Sequence, residues 1–284
     1  YMLENMNNML NEAKNGKYAV AHFNINNLEW TKFILEECNK LGVPVIIGVS
    51  EGAIKYMGGY KIVVDLVKDL IQYIGVSIPV CIHLDHGSTV ESCINAIDAG
   101  FTSVMIDASK YDLETNINIT KEVVSYAHDR NISVEAEVGH VGGDDIDIMY
   151  AKVDDCITFC NETNVDALAP ALGSVHGPYK GEPKLDFDRM RQISELCNIP
   201  LVLHGGSGIY DEQIKEAIRC GICKINFNTE LQQAWTKGVR NKLENDINVY
   251  DPRKVILSGE DNLKQIIDEK IVLLGTTPVL DSGI

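Results

Sequence analysis

The sequence predicts an α/β protein of a single domain, a (β/α)8 barrel of the TIM type, and three observations carry that expectation. Short apolar runs alternate with longer amphipathic ones from end to end, the pattern of parallel strands each followed by a crossover helix. About eight such repeats can be counted. The chain has 284 residues, 45% hydrophobic and 23% charged, which is ordinary globular composition and the usual size of one barrel.

Taken in order, the strands are expected at Tyr18 to Phe23, Val43 to Val49, Pro79 to Leu84, Ser103 to Asp107, Ile132 to Val138, Val165 to Ala171, Pro200 to His204 and Ile222 to Phe227. Most are continuous apolar runs, as strands buried on both faces should be. The segments between them have helical spacing. Gly42, Gly100 and Gly221 each stand after a helix and before the next strand, where a left-handed residue stops the helix. The whole of 1–284 is expected to form one barrel, with a C-terminal helical extension from about residue 248.

The formal charge of −16 at pH 7 argues against nucleic acid or an anionic membrane as partner, because the summed field repels both. An anionic substrate would need a locally positive pocket. No apolar run approaches the roughly 20 residues of a membrane span, and Tyr1 to Asn11 lacks the basic and apolar regions of a signal peptide, so a soluble protein is expected. The eight cysteines mostly lie in apolar segments such as Pro79-Val80-Cys81-Ile82, which suits a reducing, cytoplasmic setting. Cys220 and Cys223 have the spacing of a metal or redox pair, and Cys156 and Cys160 lie one helical turn apart. Neither has the second pair of a zinc finger, and both are read as structural.

The active site of such a barrel sits where the strands end. Polar residues gather there: Asn24, Ser50, Asp85 with His86, Asp107, Glu137, His176, His204 and Asn226. Helix capping could explain Ser50 or Asp107 individually. His86, His176 and His204 follow the third, sixth and seventh strands, each beside glycine, and three histidines plus an open position form the ligand set of a catalytic Zn²⁺. Scattered polar residues remain the competing reading. The run His204-Gly205-Gly206-Ser207-Gly208 and the run Asn226 to Thr229 fall after strands seven and eight, where barrels commonly bind phosphate, and Lys180 adds a cation; flexible turns are the alternative.

The stretches HLDHG (83–87), GSVHGPYKGEP (173–183), LHGGSG (203–208) and KINFNTE (224–230) together resemble class II, zinc-dependent fructose-bisphosphate aldolases. FNINN (23–27), GFTSVMIDAS (100–109), SVEAEVG (133–139) and YDPRK (250–254) extend the resemblance over essentially the whole chain. Position by position, it implies that His86, His176 and His204 hold one Zn²⁺, with Glu137 serving an alternative metal position, and that Asp85 is the catalytic acid/base. It places the C1 phosphate on Gly177, Lys180, Gly205, Ser207, Asn228 and Thr229, with a monovalent cation, Na⁺ or K⁺, nearby. Asn226 falls beside the substrate carbonyl, while Asn24 and Ser50 fall at the far end. Arg253 matches an arginine that reaches the second phosphate from a neighbouring subunit, so a homodimer or homotetramer is implied.

The implied reaction, a step of glycolysis and gluconeogenesis, starts when Asp85 removes the C4 hydroxyl proton. The C3–C4 bond breaks, glyceraldehyde 3-phosphate leaves and dihydroxyacetone phosphate follows, with the metal as electron sink. Asp145 stands where the family has a glutamate that exchanges a proton with the intermediate, on a segment shorter than usual, and His140 stands where a small residue or Thr is usual. Tagatose-bisphosphate aldolases share nearly all the motifs, but many carry Ala at the position of Asn228, which favours the fructose substrate. Two further alternatives are a non-catalytic binding protein on the same barrel and a Schiff-base aldolase using Lys110 or Lys180.

Asp85 and His86 would point oppositely in a regular strand, so the chain must already be turning there, with Gly87 permitting it. Glu135 and Glu137 share one face of the fifth strand and need a metal or cationic partner inside the barrel. Lys224, within the eighth strand, suits packing or ion pairing, and His83 suits the core or a place behind the metal ligands.

Overall fold

The computed structural model describes residues 3–141 and 150–279. Eight parallel strands close on themselves in sequence order: β1 (Val20–Asn24), β2 (Val45–Ser50), β3 (Val80–Gly87), β4 (Ser103–Ile106), β5 (Ser133–Val138), β6 (Ala167–Pro170), β7 (Leu201–Leu203) and β8 (Ile222–Phe227). Each overlaps the run expected from the sequence, and β8 pairs with β1 through Val20 opposite Lys224. The closed (β/α)8 barrel is therefore observed. Glycine stops appear as read: Gly42 and Gly100 cap helices α2 (Leu28–Leu41) and α5 (Val90–Ala99) with φ of +68° and +109°.

The strands are buried on both faces, but the two faces differ. Outward residues such as Val45, Ile47, Val80, Ile82 and Leu84 pack under the helices in one large apolar cluster. Inward residues at the entering ends of the strands, Val20, Ile46, Cys81, Ala167 and Val202, pack instead on Met6, Met9, Leu10 and Ala13. Those last residues flank and form α1 (Asn7–Gly16), which closes the bottom of the barrel. Higher up, the inward face turns polar at His22, His83, Glu135 and Lys224, all fully buried. A run that reads as continuous apolar sequence thus hides a charged middle layer.

At the other end of the chain, α10 (Thr229–Asn245) is followed by α11 (Pro252–Leu257) and α12 (Glu260–Leu274), and α12 packs against α10, α2 and β1. Among the described residues no helix is long and apolar enough to cross a membrane.

Gly48 illustrates how the middle layer is accommodated. A Cβ on Gly48 would lie 1.8 Å from Nε2 of His22, whose imidazole occupies the space over β2. Gly48→Ala is expected to destabilise the protein by about 1–3 kcal/mol through overpacking. In urea unfolding, combining it with His22→Ala should recover part of that loss, whereas strictly additive effects would contradict the clash.

Candidate active site

Ten residues from different strands and loops line one cleft at the C-terminal end of the barrel: Asn24, Asp85, His86, His176, Gly177, Gly205, Ser207, Asn226, Asn228 and Thr229. The cleft encloses about 490 Å³ of atom-free space, its mouth included. Each had been singled out from sequence as a candidate, and the fold brings them together from positions more than 200 residues apart.

The third strand supplies Asp85 and His86 by a local distortion. His86 adopts the left-handed region with φ of +51°, and the pairing of β3 with β4 slips between Leu84 and Gly87. The left-handed residue of the turn is therefore His86 itself. Gly87 is needed for space: a Cβ there would meet the Met105 carbonyl oxygen at 2.6 Å and Cys93 Sγ at 2.9 Å.

Asp85 accepts a hydrogen bond from Asn24 Nδ2 at 2.9 Å on one oxygen, while its Oδ1 is buried and has no hydrogen-bond partner among the described residues. Burial raises a carboxyl, but the imidazoles of His86, His22 and His204 and the Asn24 bond outweigh it and hold Asp85 well below the usual range. For His86, desolvation alone would lower the imidazole. Asp85, the hydrogen bond to Asp107, and Glu137 outweigh it and push the group up to about 10. Burial dominates at His176 and lowers it to about 3.

The three rings converge. Centroids of His86 and His204 are 4.7 Å apart, those of His86 and His176 4.9 Å, and one ligand atom from each of the three lies within 4.8 Å of the others. Carboxylates orient two of them from behind: Asp107 Oδ2 lies 2.8 Å from Nδ1 of His86, and Glu135 Oε1 lies 2.7 Å from Nε2 of His204. This leaves Nε2 of His86 and Nδ1 of His204 facing each other at 3.0 Å. A second group, His86, Asp107 and Glu137, meets the same distance limit. Glu137 accepts from the Val141 N–H at 3.0 Å with one oxygen; the other lies 3.7 Å from Nδ1 of His204 and has no hydrogen-bond partner among the described residues, and the group is raised by burial and by the charge of Asp107. Both groups could hold a metal ion, as histidines backed by carboxylates do.

The glycine-rich segments shape the opposite wall. Gly177, with φ of +80°, has open space where a Cβ would point, while at Gly205 a Cβ would strike the Val175 carbonyl oxygen at 2.1 Å. Tyr179 ties the two loops, its hydroxyl donating to the Gly205 carbonyl at 2.9 Å and accepting from the Val175 N–H at 3.1 Å. Helix α10 begins at Thr229 with no side-chain cap from Asn228, and the Glu230 N–H of its first turn donates to Ser207 Oγ at 3.3 Å.

Other candidates lie elsewhere. Ser50 accepts from Ala53 N at 3.2 Å as the N-cap of α3 (Glu51–Met57), and Lys180 follows β6 outside the lining residues. Arg253, on α11, makes a two-point contact with Asp251 at 3.1 and 2.9 Å, also outside the cleft. Asp145 falls outside the described residues. Cys220 and Cys223 do not pair with each other: Cys220 contacts Arg191 and Glu216, and Cys223 the Gly221 carbonyl. His22 and Lys224 were not read as belonging to the site; an isolated polar residue inside an apolar strand run was the only signal they offered.

Residues 4–278 match the family model for fructose-bisphosphate aldolase class-II. The chain belongs to that family. It is 56% identical to the fructose-bisphosphate aldolase of Geobacillus stearothermophilus over 280 residues, covering 97% of this chain and 98% of that one. The Staphylococcus epidermidis fructose-bisphosphate aldolase is 52% identical over the same shares. Among solved structures, the YdjI aldolase of Escherichia coli K12 superposes with a TM-score of 0.86 at 35% identity, covering 97% and 98% of the two chains.

Within this aldolase family member, the tight seat of Gly87 makes a direct prediction. Gly87→Ala should lose about 1–3 kcal/mol in urea unfolding and weaken divalent-ion binding measured by competition with a chromophoric chelator. Unchanged stability and unchanged ion affinity would show that the β3 distortion does not depend on this glycine.

Proposed function

We propose that the chain catalyses the metal-dependent cleavage of fructose 1,6-bisphosphate to dihydroxyacetone phosphate and glyceraldehyde 3-phosphate, and the reverse condensation. The observation that carries this reading is the meeting of three imidazoles beside an Asp85 oxygen that has no hydrogen-bond partner among the described residues. His86, His176 and His204 would hold the ion, and Glu137 with Asp107 offers the alternative position beside His86. Zn²⁺ suits three nitrogen ligands and, when bound, supplies Lewis-acid polarisation of the substrate ketone.

The chain's own groups account for the remaining chemistry. Asp85 is ionised at neutral pH, and its free Oδ1 is the acceptor for the C4 hydroxyl proton. Asn24 holds the other oxygen and fixes the carboxylate plane. Asn226 serves the carbonyl end. The C1 phosphate is met by Gly177, Gly205, Ser207, Asn228 and Thr229 at the start of α10, where the helix dipole favours an anion, with Lys180 and a monovalent cation, Na⁺ or K⁺, adding positive charge. That local arrangement answers the net charge of −16, which otherwise repels a bisphosphate.

Ser50 is assigned to the far end of the substrate, Asp145 to proton exchange at the intermediate, and Arg253 to the second phosphate of a neighbouring copy in a homodimer or homotetramer. A cytoplasmic, glycolytic role and a single 1–284 unit with a C-terminal helical extension complete the reading. Asn228 favours the fructose over the tagatose substrate. A Schiff-base route is disfavoured by its candidates: Lys110 lies over the Tyr111 ring, away from the cleft, and Lys180 falls outside the residues that line it.

The test is a coupled cleavage assay before and after EDTA, then with Zn²⁺ restored. Activity should vanish and return, and Asp85→Asn should lower kcat by roughly 100- to 10,000-fold while retaining the metal. Full activity in protein verified to be metal-free would overturn the metal mechanism.

A further inference from the structure

The middle layer of the barrel contains an ammonium that the proposed mechanism does not use. Lys224, inward-facing on β8, is wholly inaccessible to solvent. Its Nζ lies 2.9 Å from Glu135 Oε2 and donates to Asn226 Oδ1 at 2.7 Å. One cation thus touches two groups that lead in different directions: Glu135 to His204, and Asn226 to the cleft.

An ammonium has donors only, so whatever it bonds must be an acceptor. The Asn226 atom beside Lys224 is therefore the amide oxygen, and the amide NH₂ is the end turned elsewhere, on a residue that lines the cleft. The same logic runs through Glu135. With one oxygen held by the cation, the carboxylate stays an acceptor, and Nε2 of His204, at 2.7 Å from the other oxygen, must carry the ring proton. Nδ1 of His204 is then a lone pair, facing Nε2 of His86 at 3.0 Å.

We propose that Lys224 is a positioning residue that sets the hydrogen-bond polarity of the whole site: through Asn226 it presents an N–H donor to the substrate, and through Glu135 it presents the His204 lone pair to the metal. The inference rests on the aldolase reading for its substrate half. A substrate oxygen that gains negative charge as the C3–C4 bond breaks needs a donor already aimed at it, and a flipped amide would offer an acceptor instead. The metal half follows the general behaviour of histidine ligands, whose remote nitrogen is fixed by a carboxylate behind them.

The experiment compares wild-type protein with Lys224→Met, Lys224→Arg and Lys224→Met/Glu135→Gln, the double variant removing both buried charges should the single one fail to fold. At saturating Zn²⁺, Lys224→Met should lose about 100-fold in kcat with KM for fructose 1,6-bisphosphate changed little, the signature of a donor that matters in the transition state. Zn²⁺ affinity, by competition with a chromophoric chelator, should fall about 10- to 100-fold. Lys224→Arg should restore part of both. Asn226→Ala should cost much less in the Lys224→Met background than in wild type, because the amide is already misdirected there.

Long-range ¹H–¹⁵N spectra of the histidine-labelled wild-type protein supply a readout that needs no variant: His204 should be the Nε2–H tautomer. A folded Lys224→Met protein with kcat, KM and Zn²⁺ affinity within about twofold of wild type would reduce Lys224 to a packing role, and the Nδ1–H tautomer at His204 would overturn the proposal outright. Wild-type protein that binds Zn²⁺ but leaves fructose 1,6-bisphosphate intact would refute the substrate reading alone, since the tautomer and the metal affinities still decide the rest.

Discussion

Everything at the mouth of this barrel depends on two adjacent residues facing the same way. A strand alternates its side chains, so Asp85 and His86 can share the cleft only if the backbone leaves the strand conformation between them. It does so at His86, with φ of +51°. For a residue with a Cβ that conformation costs on the order of 1–3 kcal/mol, and such strain persists only where the surroundings dictate it. Here they do: Asp107 holds Nδ1 of His86 at 2.8 Å, Gly87 leaves room against Met105 and Cys93, and the charge of Asp85 lies close by. The carboxylate proposed as the base and an imidazole proposed as a metal ligand are thereby delivered by consecutive positions of one strand.

The interior of the barrel is organised to support that pair. At the bottom, α1 and the entering strand ends form an apolar plug that keeps water out. Above it, Lys224, Glu135, His83 and His22 form a buried polar layer, with Glu135 taking contacts from Lys224 and His204 and lying 3.4 Å from His83. Burying an ion pair contributes little stability by itself, and its usual merit is to fix one arrangement among several. In this chain the groups it contacts one layer higher are the His204 imidazole and the Asn226 amide.

Much of this was legible in the sequence because the governing signals are local or repetitive. Alternation of strand and helix located all eight strands, and the polar residues at their ends marked most of the cleft. The motifs around His86, His176 and His204 identified a family that the comparisons bear out. Other features were hidden for physical reasons. Which of two neighbouring residues takes the left-handed conformation depends on the pairing of β3 with β4, so the sequence shows a turn beside Gly87 but not that His86 is its left-handed residue. Lys224 and His22 sit within apolar runs, and their importance arises from partners on β5 and β2, far away in the chain. Among the described residues Arg253 is joined to its neighbour Asp251, so its proposed role depends on a second copy.

The proposed function requires three imidazoles on three separate strand-end segments to form one metal centre. X-ray absorption at the zinc edge, on protein loaded with one equivalent of Zn²⁺, tests it directly. The account predicts a first shell of nitrogen and oxygen near 2.0–2.1 Å, with the outer-shell scattering of about three imidazoles. Sulfur scattering near 2.3 Å, or a shell with fewer than two imidazoles, would contradict it.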